Sequence, residues 1–417
     1  MPKELAVLVQ IQAPDGKWVD VGYLRNHQER NWFQIEDSYW SLPRRPVLGQ
    51  TFEEHGKGWR PSAHVALPNW FSHLLPEGYL RSMVARAAQS NTRKEFSLLA
   101  RIGRDDLPGA TRIAPALALG DSVAIPPELE AEDDAPEDDP LLKFSLAGVQ
   151  LKFSVYESGR GLTVPAKGQA GNVILKLPDE RPGYDGVPEA ELGCLVLARD
   201  SGIRAADAFL VELGSVTGLE KWTRRMGVET KALAVRRFDR RPGDLRVHME
   251  EVAQVLNISA RQERAKYLKA NHETVGAIVG GLSGPEVVGE IIDRTVLNVM
   301  VGNGDAHLKN WALLYPDGRR PVLSPAYDIV PTVIYVPGDD LGMKLAGARR
   351  FEAVTSKSFD LMGERTGIGV ESARVRARDA VVRIREHWGV LRDYVTADRY
   401  HTLTERLGSL RLFTDVQ

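Results

Sequence analysis

Apolar and polar residues alternate in two short runs near the start of the chain. Val7, Val9 and Ile11 mark the first, Val19, Val21 and Tyr23 the second, with Pro14-Asp15-Gly16 between them. This pattern predicts a β-hairpin over 5–11 and 18–24, with each apolar trio on one face. The period then lengthens. From Trp70 to Ala88 the apolar positions Phe71, Leu74, Leu75, Leu80, Met83 and Val84 fall at helical spacing, and Pro76 splits them into two helices. Strand-like runs follow at Lys152–Tyr156, Val173–Leu177 and Ala232–Phe238. Pro188 and Glu189 open a helix that runs to Asp200 and closes near Gly202. Beyond Pro285 the pattern is helical: Val288, Ile292 and Val296 share a face with Ile291 alongside, and Gly302 ends the helix. Val381, Ile384 and Trp388 extend helical spacing into the tail.

Composition interrupts this pattern once. Between Glu128 and Pro140 there are eight acids, two prolines and no base, which predicts a solvated linker or surface loop and a domain boundary. Elsewhere the chain is ordinary: 417 residues, 43% apolar, 26% charged, enough for two or three packed units. With 54 Lys and Arg against 56 Asp and Glu, the net charge of −2 argues against a globally basic nucleic-acid binder. The one cysteine, Cys194, excludes an intramolecular disulfide and a cysteine metal cluster. No apolar run approaches a membrane span, and the start of the chain lacks a secretory pattern, so a cytoplasmic location is expected.

The strongest candidate chemistry is Gly302-Asn-Gly-Asp-Ala-His-Leu-Lys-Asn310, between the long apolar helix and the strand-like Trp311–Tyr315. Asp305 followed by Asn310 has the spacing of a kinase catalytic loop, in which the aspartate orients the attacking hydroxyl and the asparagine binds magnesium. Asp328, 23 residues later, stands where a kinase keeps its metal-binding aspartate. Taken alone, Gly-Asn-Gly-Asp also reads as a plain turn. Lys176 is the one charge in an apolar strand; it either snorkels at a sheet edge or reaches nucleotide phosphates, with Glu189 or, preferably, Glu191 on the next helix as its partner. Ser145-Leu-Ala-Gly-Val-Gln-Leu-Lys152 offers small residues and a cation for phosphate oxygens, but a β-turn explains it equally well.

Together these segments, with Val235-Arg-Arg-Phe-Asp-Arg240 and Pro325-Ala-Tyr-Asp328, follow the order and spacing of a known family. The chain resembles HipA-type serine/threonine kinases, the toxins of bacterial toxin–antitoxin pairs. Leu74-Leu75-Pro76 and Ile102-Gly-Arg-Asp105 look like that family's amino-terminal subdomain, so the likeness covers nearly the whole chain. The resemblance implies an α+β, bilobal protein-kinase-like fold related to phosphoinositide kinases. Its expected parts are an α+β subdomain over 1–127, the acidic linker or loop over 128–140, a kinase N-lobe portion over 141–240 and a mostly helical C-lobe over 241–417.

It also implies the site. Asp305 is the catalytic base, Asn310 and Asp328 hold Mg2+, and Lys176 binds ATP phosphates. Ala147, Gly148, Val149, Gln150 and Lys152 form the phosphate loop, Phe238 lies near adenine, and His307 is grouped with the nucleotide-binding residues. Ser145 is the serine that autophosphorylates and switches the kinase off. Where the family often carries an acid, this chain has Arg236, which bears on nucleotide affinity. The implied partners are a HipB-like helix-turn-helix antitoxin dimer, operator DNA mainly through that antitoxin, and a protein substrate, an aminoacyl-tRNA synthetase of glutamyl type by analogy. Two rivals use the same residues. A lipid or small-molecule kinase shares Asp-x-His-x-x-Asn, though no basic membrane-facing cluster accompanies it here. A pseudokinase acting as co-repressor would be expected to have lost part of the catalytic set, which is intact.

Overall fold

The hairpin expected at the start forms, with β1 over Leu5–Gln12 and β2 over Trp18–His27. The computed structural model describes residues 3–87, 90–104, 106–130, 151–165 and 169–416. In β1 the trio Val7, Val9 and Ile11 is buried, but Ala6 and Leu8 on the opposite face are buried too. Both edges of β1 are paired, to β2 and to a later strand Thr111–Pro115, and Ala116 and Val123 pack on its second face. The return strand departs from simple alternation. The register shifts between Val9 and Gln10, so Ile11 faces Val19 whereas Leu8 faces Tyr23. One extra residue in β2 reverses the parity of the faces. Tyr23 therefore joins Ala6 and Leu8, not Val19. Gly22 beside the bulge is needed for close approach: a Cβ there would lie 2.2 Å from the Gln34 carbonyl oxygen.

β3 (Arg30–Ile35), β4 (Ser62–His64) and β5 (Thr111–Pro115) complete an antiparallel sheet in the order β4-β3-β2-β1-β5. Pro76 separates the one-turn helix Asn69–Ser72 from α1 (Gly78–Ala87), and α2 (Glu95–Ile102) follows. A second antiparallel group, β6 (Lys152–Ser158), β7 (Gly161–Thr163), β8 (Val173–Lys176) and β9 (Lys231–Arg236), pairs in the order β7-β6-β8-β9. Within the acidic block Pro127–Glu130 forms a helical turn with Leu129 buried. The rest of that block, and the loop up to Gln150, lie outside the described residues.

These elements belong to one of two compact units interleaved along the chain: Met1–Leu177, Val211–Gln262 and Leu314–Arg320. The other takes Pro178–Leu210, Glu263–Leu313 and Pro321–Gln417. It is helical, built from α3 (Val187–Asp200), α4 (His272–Ser283), α5 (Val288–Val301), α6 (Asp360–Thr366), α7 (Val370–His387) and α8 (Ala397–Leu407). The apolar face expected of α5 is buried, and so is the rest of the helix from Ile291 onward. Its buried polar residues have work to do. Asp293 takes a two-point ion pair from Arg376 at 2.8 and 2.5 Å and a third contact from Arg383 at 2.8 Å, which ties α5 to α7. Arg294 donates to the Ser324 carbonyl. No helix among the described residues is long and apolar enough to cross a membrane.

Candidate active site

The loop that carries Asp305 is built from the end of α5. Gly302 closes the helix in the left-handed region (φ 72°, ψ 50°), and Arg406 of α8 donates to the exposed carbonyls of Met300 and Val299 at 2.8 and 3.0 Å. The Asn303 side chain then works at both ends. Its amide donates to Asn298 Oδ1 at 2.9 Å, and its own Oδ1 accepts the Asp305 N–H at 3.1 Å. The Gly304 N–H donates to Thr332 Oγ1 at 2.6 Å, fastening the loop to the segment after Asp328. The backbone of Asp305 is thus fixed, while its carboxylate is 54% exposed.

Two side chains approach one oxygen of that carboxylate. The Tyr267 hydroxyl donates to Asp305 Oδ1, and His307 Nε2 lies 3.9 Å from the same atom. The Tyr267 ring stands edge-on to the buried His307 imidazole with centroids 5.1 Å apart. A tight turn over Leu308–Asn310 brings Asn310 back, its N–H bonded to the His307 carbonyl at 2.9 Å. Asn310 Nδ2 donates to the main-chain carbonyl of Asp328 at 3.3 Å. Tyr327 donates its hydroxyl to the Lys309 carbonyl at 2.6 Å. Asp328 itself has φ 58°, a left-handed backbone unusual for a residue with a side chain. Asp305, His307, Asn310 and Asp328 therefore form one connected group within the second unit.

The donor set fits a hard cation. Asn310 Oδ1 is buried and accepts no hydrogen bond among the described residues, so an oxygen is held out of water with its lone pairs uncommitted. The carboxylate of Asp328, whose main-chain carbonyl Asn310 holds, would add the charge. Magnesium suits one or two protein oxygens completed by phosphate and water. Among the described residues no group of three or more His, Cys, Asp or Glu could hold a metal ion.

The other candidates lie in the first unit. Lys152 and Lys176 are direct cross-strand partners in β6 and β8, and both are buried. Ser145, Ala147, Gly148, Val149 and Gln150 lie outside the described residues, as does Asp105. Glu191 is fully buried in α3 of the second unit, whereas Glu189 is only half-buried.

Phe238 is half-buried in the turn after β9, amid charges that serve another purpose. Arg237 Nη1 lies 2.6 Å from Asp106 Oδ1, and its Nε and Nη2 hold Asp239 at 2.9 and 2.8 Å. Arg240 bridges the same two carboxylates at 2.9 and 2.8 Å. Ser154 and the Gly171 N–H also donate to Asp106, and the Gly109 N–H donates to Asp239. Burial pushes both acids up, but the two guanidinium groups outweigh it and hold them below the usual carboxylate range. Arg236 points elsewhere: its Nε and Nη2 grip Glu157 of β6, each at 2.7 Å. Tyr267, Thr332 and Asp106 carried no sequence signal, since each acts on a motif from far along the chain.

Known proteins resemble this chain along most of its length. Residues 144–388 match the model of the HipA-like C-terminal domain, and residues 17–114 that of the HipA N-terminal domain. The "Putative kinase Y4dM" of Sinorhizobium fredii is 36% identical over 386 residues, covering 88% of each chain. The "Putative kinase Y4mE" of the same organism is 29% identical over 345 residues, covering 75% of this chain and 76% of that one. Among solved structures, one chain of the Shewanella oneidensis HipA, HipB and operator DNA complex superposes with a TM-score of 0.68 at 19% identity. The match covers 98% of this chain and 96% of that one, and it establishes an α+β, bilobal, kinase-like fold.

Proposed function

The chain belongs to the HipA family, and from that premise we propose that it is an ATP- and magnesium-dependent protein serine/threonine kinase, the toxin of a toxin–antitoxin pair. The observation that carries the proposal is the buried, uncommitted Oδ1 of Asn310, bonded through its amide to the backbone of Asp328 and five residues from the exposed carboxylate of Asp305. A base open to an incoming hydroxyl beside two oxygens suited to a hard cation is what phosphoryl transfer asks of a protein.

In this mechanism Asp305 accepts the proton of a serine or threonine hydroxyl as its oxygen attacks the γ-phosphorus and ADP departs. Asn310 and Asp328 would hold magnesium, which when bound neutralises charge on the phosphates. Lys152 and Lys176 favour the polyphosphate from β6 and β8, and Glu191 is assigned as the partner of Lys176. Ser145 is the self-phosphorylated serine. The partner is a HipB-like helix-turn-helix antitoxin, through which the kinase meets operator DNA, and the acceptor is a translation component of the aminoacyl-tRNA synthetase class.

The test uses purified protein, magnesium and γ-labelled ATP. Asp305→Asn should lower label transfer by roughly 10²–10⁴-fold while ATP binding persists. Asp328→Asn should weaken magnesium-dependent ATP binding, because it removes a metal ligand. Label is expected on Ser145 in the wild type and not in Asp305→Asn. Near wild-type transfer in both variants would refute the kinase reading.

A further inference from the structure

Asp305 has a firmly held backbone and a side chain with room to turn. More than half of its carboxylate is exposed, and an exposed acid normally samples several rotamers. A base must instead present its oxygen within hydrogen-bond reach of the acceptor, in the right direction, when the γ-phosphate is in place. Asn303 and Thr332 fix only the main chain of this loop. From outside the motif, Tyr267, 38 residues earlier on the helical turn Ala265–Leu268, reaches the carboxylate.

We infer that Tyr267 is a positioning residue for phosphoryl transfer, locking the Asp305 carboxylate through its Oδ1 so that the base is oriented before the acceptor arrives. The inference rests on the kinase reading of Asp305. The lock has two ends. The hydroxyl holds Oδ1, and the ring is braced edge-on by His307, whose imidazole is buried and whose Nε2 lies 3.9 Å from the same oxygen. Ala265, two residues back, is buried and anchors the short helix. His307 therefore acts through Tyr267 as well as through its own approach to Asp305, which gives this motif residue a role.

The same contact has an opposite interpretation. A hydroxyl on the catalytic carboxylate is where an acceptor serine would sit, so Tyr267 could occupy the acceptor's place and hold the enzyme off. The buried brace behind the ring favours a permanent part of the site over a plug that must leave at every turnover. The two interpretations predict opposite signs.

The experiment compares wild type with Tyr267→Phe, which removes one oxygen and keeps the ring on His307, and with Tyr267→Leu, which removes both ends of the lock. Label transfer from γ-labelled ATP into the chain is followed at saturating ATP and magnesium, with ATP affinity measured separately on the same samples. The expected result for Tyr267→Phe is a roughly tenfold slower transfer with ATP Kd and Tm unchanged, and a larger loss for Tyr267→Leu. A merely structural tyrosine would shift Tm and Kd alongside the rate. Transfer that is unchanged or faster in Tyr267→Phe, or phosphate found on Tyr267 itself, would overturn the inference. A wild type that transfers no label at all would instead sink the kinase reading on which it rests.

Discussion

Asp106, Arg237, Asp239 and Arg240 in the first unit and Asp305, Asn310 and Asp328 in the second both come from polar clusters, yet their atoms are used differently. In the first group both guanidinium groups meet both carboxylates, and Ser154, Gly109 and Gly171 take up further oxygens. The charges satisfy one another inside the fold. In the second, Asp305 opens to solvent and Asn310 keeps an oxygen uncommitted. Charge that is buried and closed on itself builds structure, whereas charge that is held in place and left open does chemistry.

The largest test of that contrast removes one member from each group. Arg237→Ala leaves two buried carboxylates with a single guanidinium between them and should cost about 3–5 kcal/mol in denaturant unfolding. Asp305→Asn, near-isosteric and half-exposed, should change stability by less than about 0.5 kcal/mol while removing phosphoryl transfer. The comparison would collapse if Arg237→Ala unfolded like the wild type, or if Asp305→Asn were strongly destabilised.

This asymmetry also explains what could be read from the sequence. The loop from Asp305 to Asn310 is legible because a short turn makes the neighbours, and local spacing survives into space. Asp328 was legible from its place 23 residues on and Lys176 as the one charge in an apolar strand, and the family likeness added roles for Ser145 and Phe238. Asp106 was invisible because its partner Arg237 lies 131 residues away, and Tyr267 because a lone tyrosine on a four-residue helical turn has no pattern. Helix α5 was legible from its apolar face, but its buried Asp293 and Arg294 were not, since their partners come from α7 and from Ser324. In β2 the pattern misplaced Tyr23, because a bulge changes parity without changing the alternation that the sequence displays.

A third arrangement sharpens the contrast by pH. Glu250 is fully buried and has neutral donors only: the Tyr315 hydroxyl, the Gln50 N–H at 2.9 Å and Trp70 Nε1 at 3.3 Å. Burial raises it to about 7, against the pull of those three hydrogen bonds. Between its ordinary value near 4.5 and about 7 the folded state binds more protons than the unfolded chain, so Glu250 makes stability fall as pH rises through this window. The effect is on the order of 3 kcal/mol. Asp106 and Asp239 behave the other way, losing their stabilisation as pH drops below the usual carboxylate range. His248 and His272, lowered to about 4 by burial, also favour the folded state less on acidification. Unfolding of wild type and Glu250→Gln at pH 5, 6, 7 and 8 separates these terms, because the histidines act on both proteins alike: the stability of the wild type relative to the variant should fall between pH 5 and 7. Parallel curves would show that Glu250 does not titrate in that window.

The smallest expected effect concerns the one charge in Val235–Arg240 that stays at the surface. Arg236 and Glu157 face each other across two hydrogen bonds, but their side chains are 46% and 29% exposed. Water and salt screen such a pair, and a two-point surface bridge contributes about 1 kcal/mol or less. Arg236→Ala should therefore lower stability by no more than that, and less at high salt. The same geometry bears on nucleotide binding. A guanidinium engaged at two nitrogens by Glu157 would have to give up that pair to reach an adenine ring, so ATP affinity in Arg236→Ala should stay within about twofold, equivalent to less than 0.5 kcal/mol. Titration of ATP with magnesium into wild type and variant reads this directly. A loss of tenfold or more would mean that Arg236 leaves Glu157 for the nucleotide, and that this residue belongs with the open charges of the active site and not with the closed ones beside it.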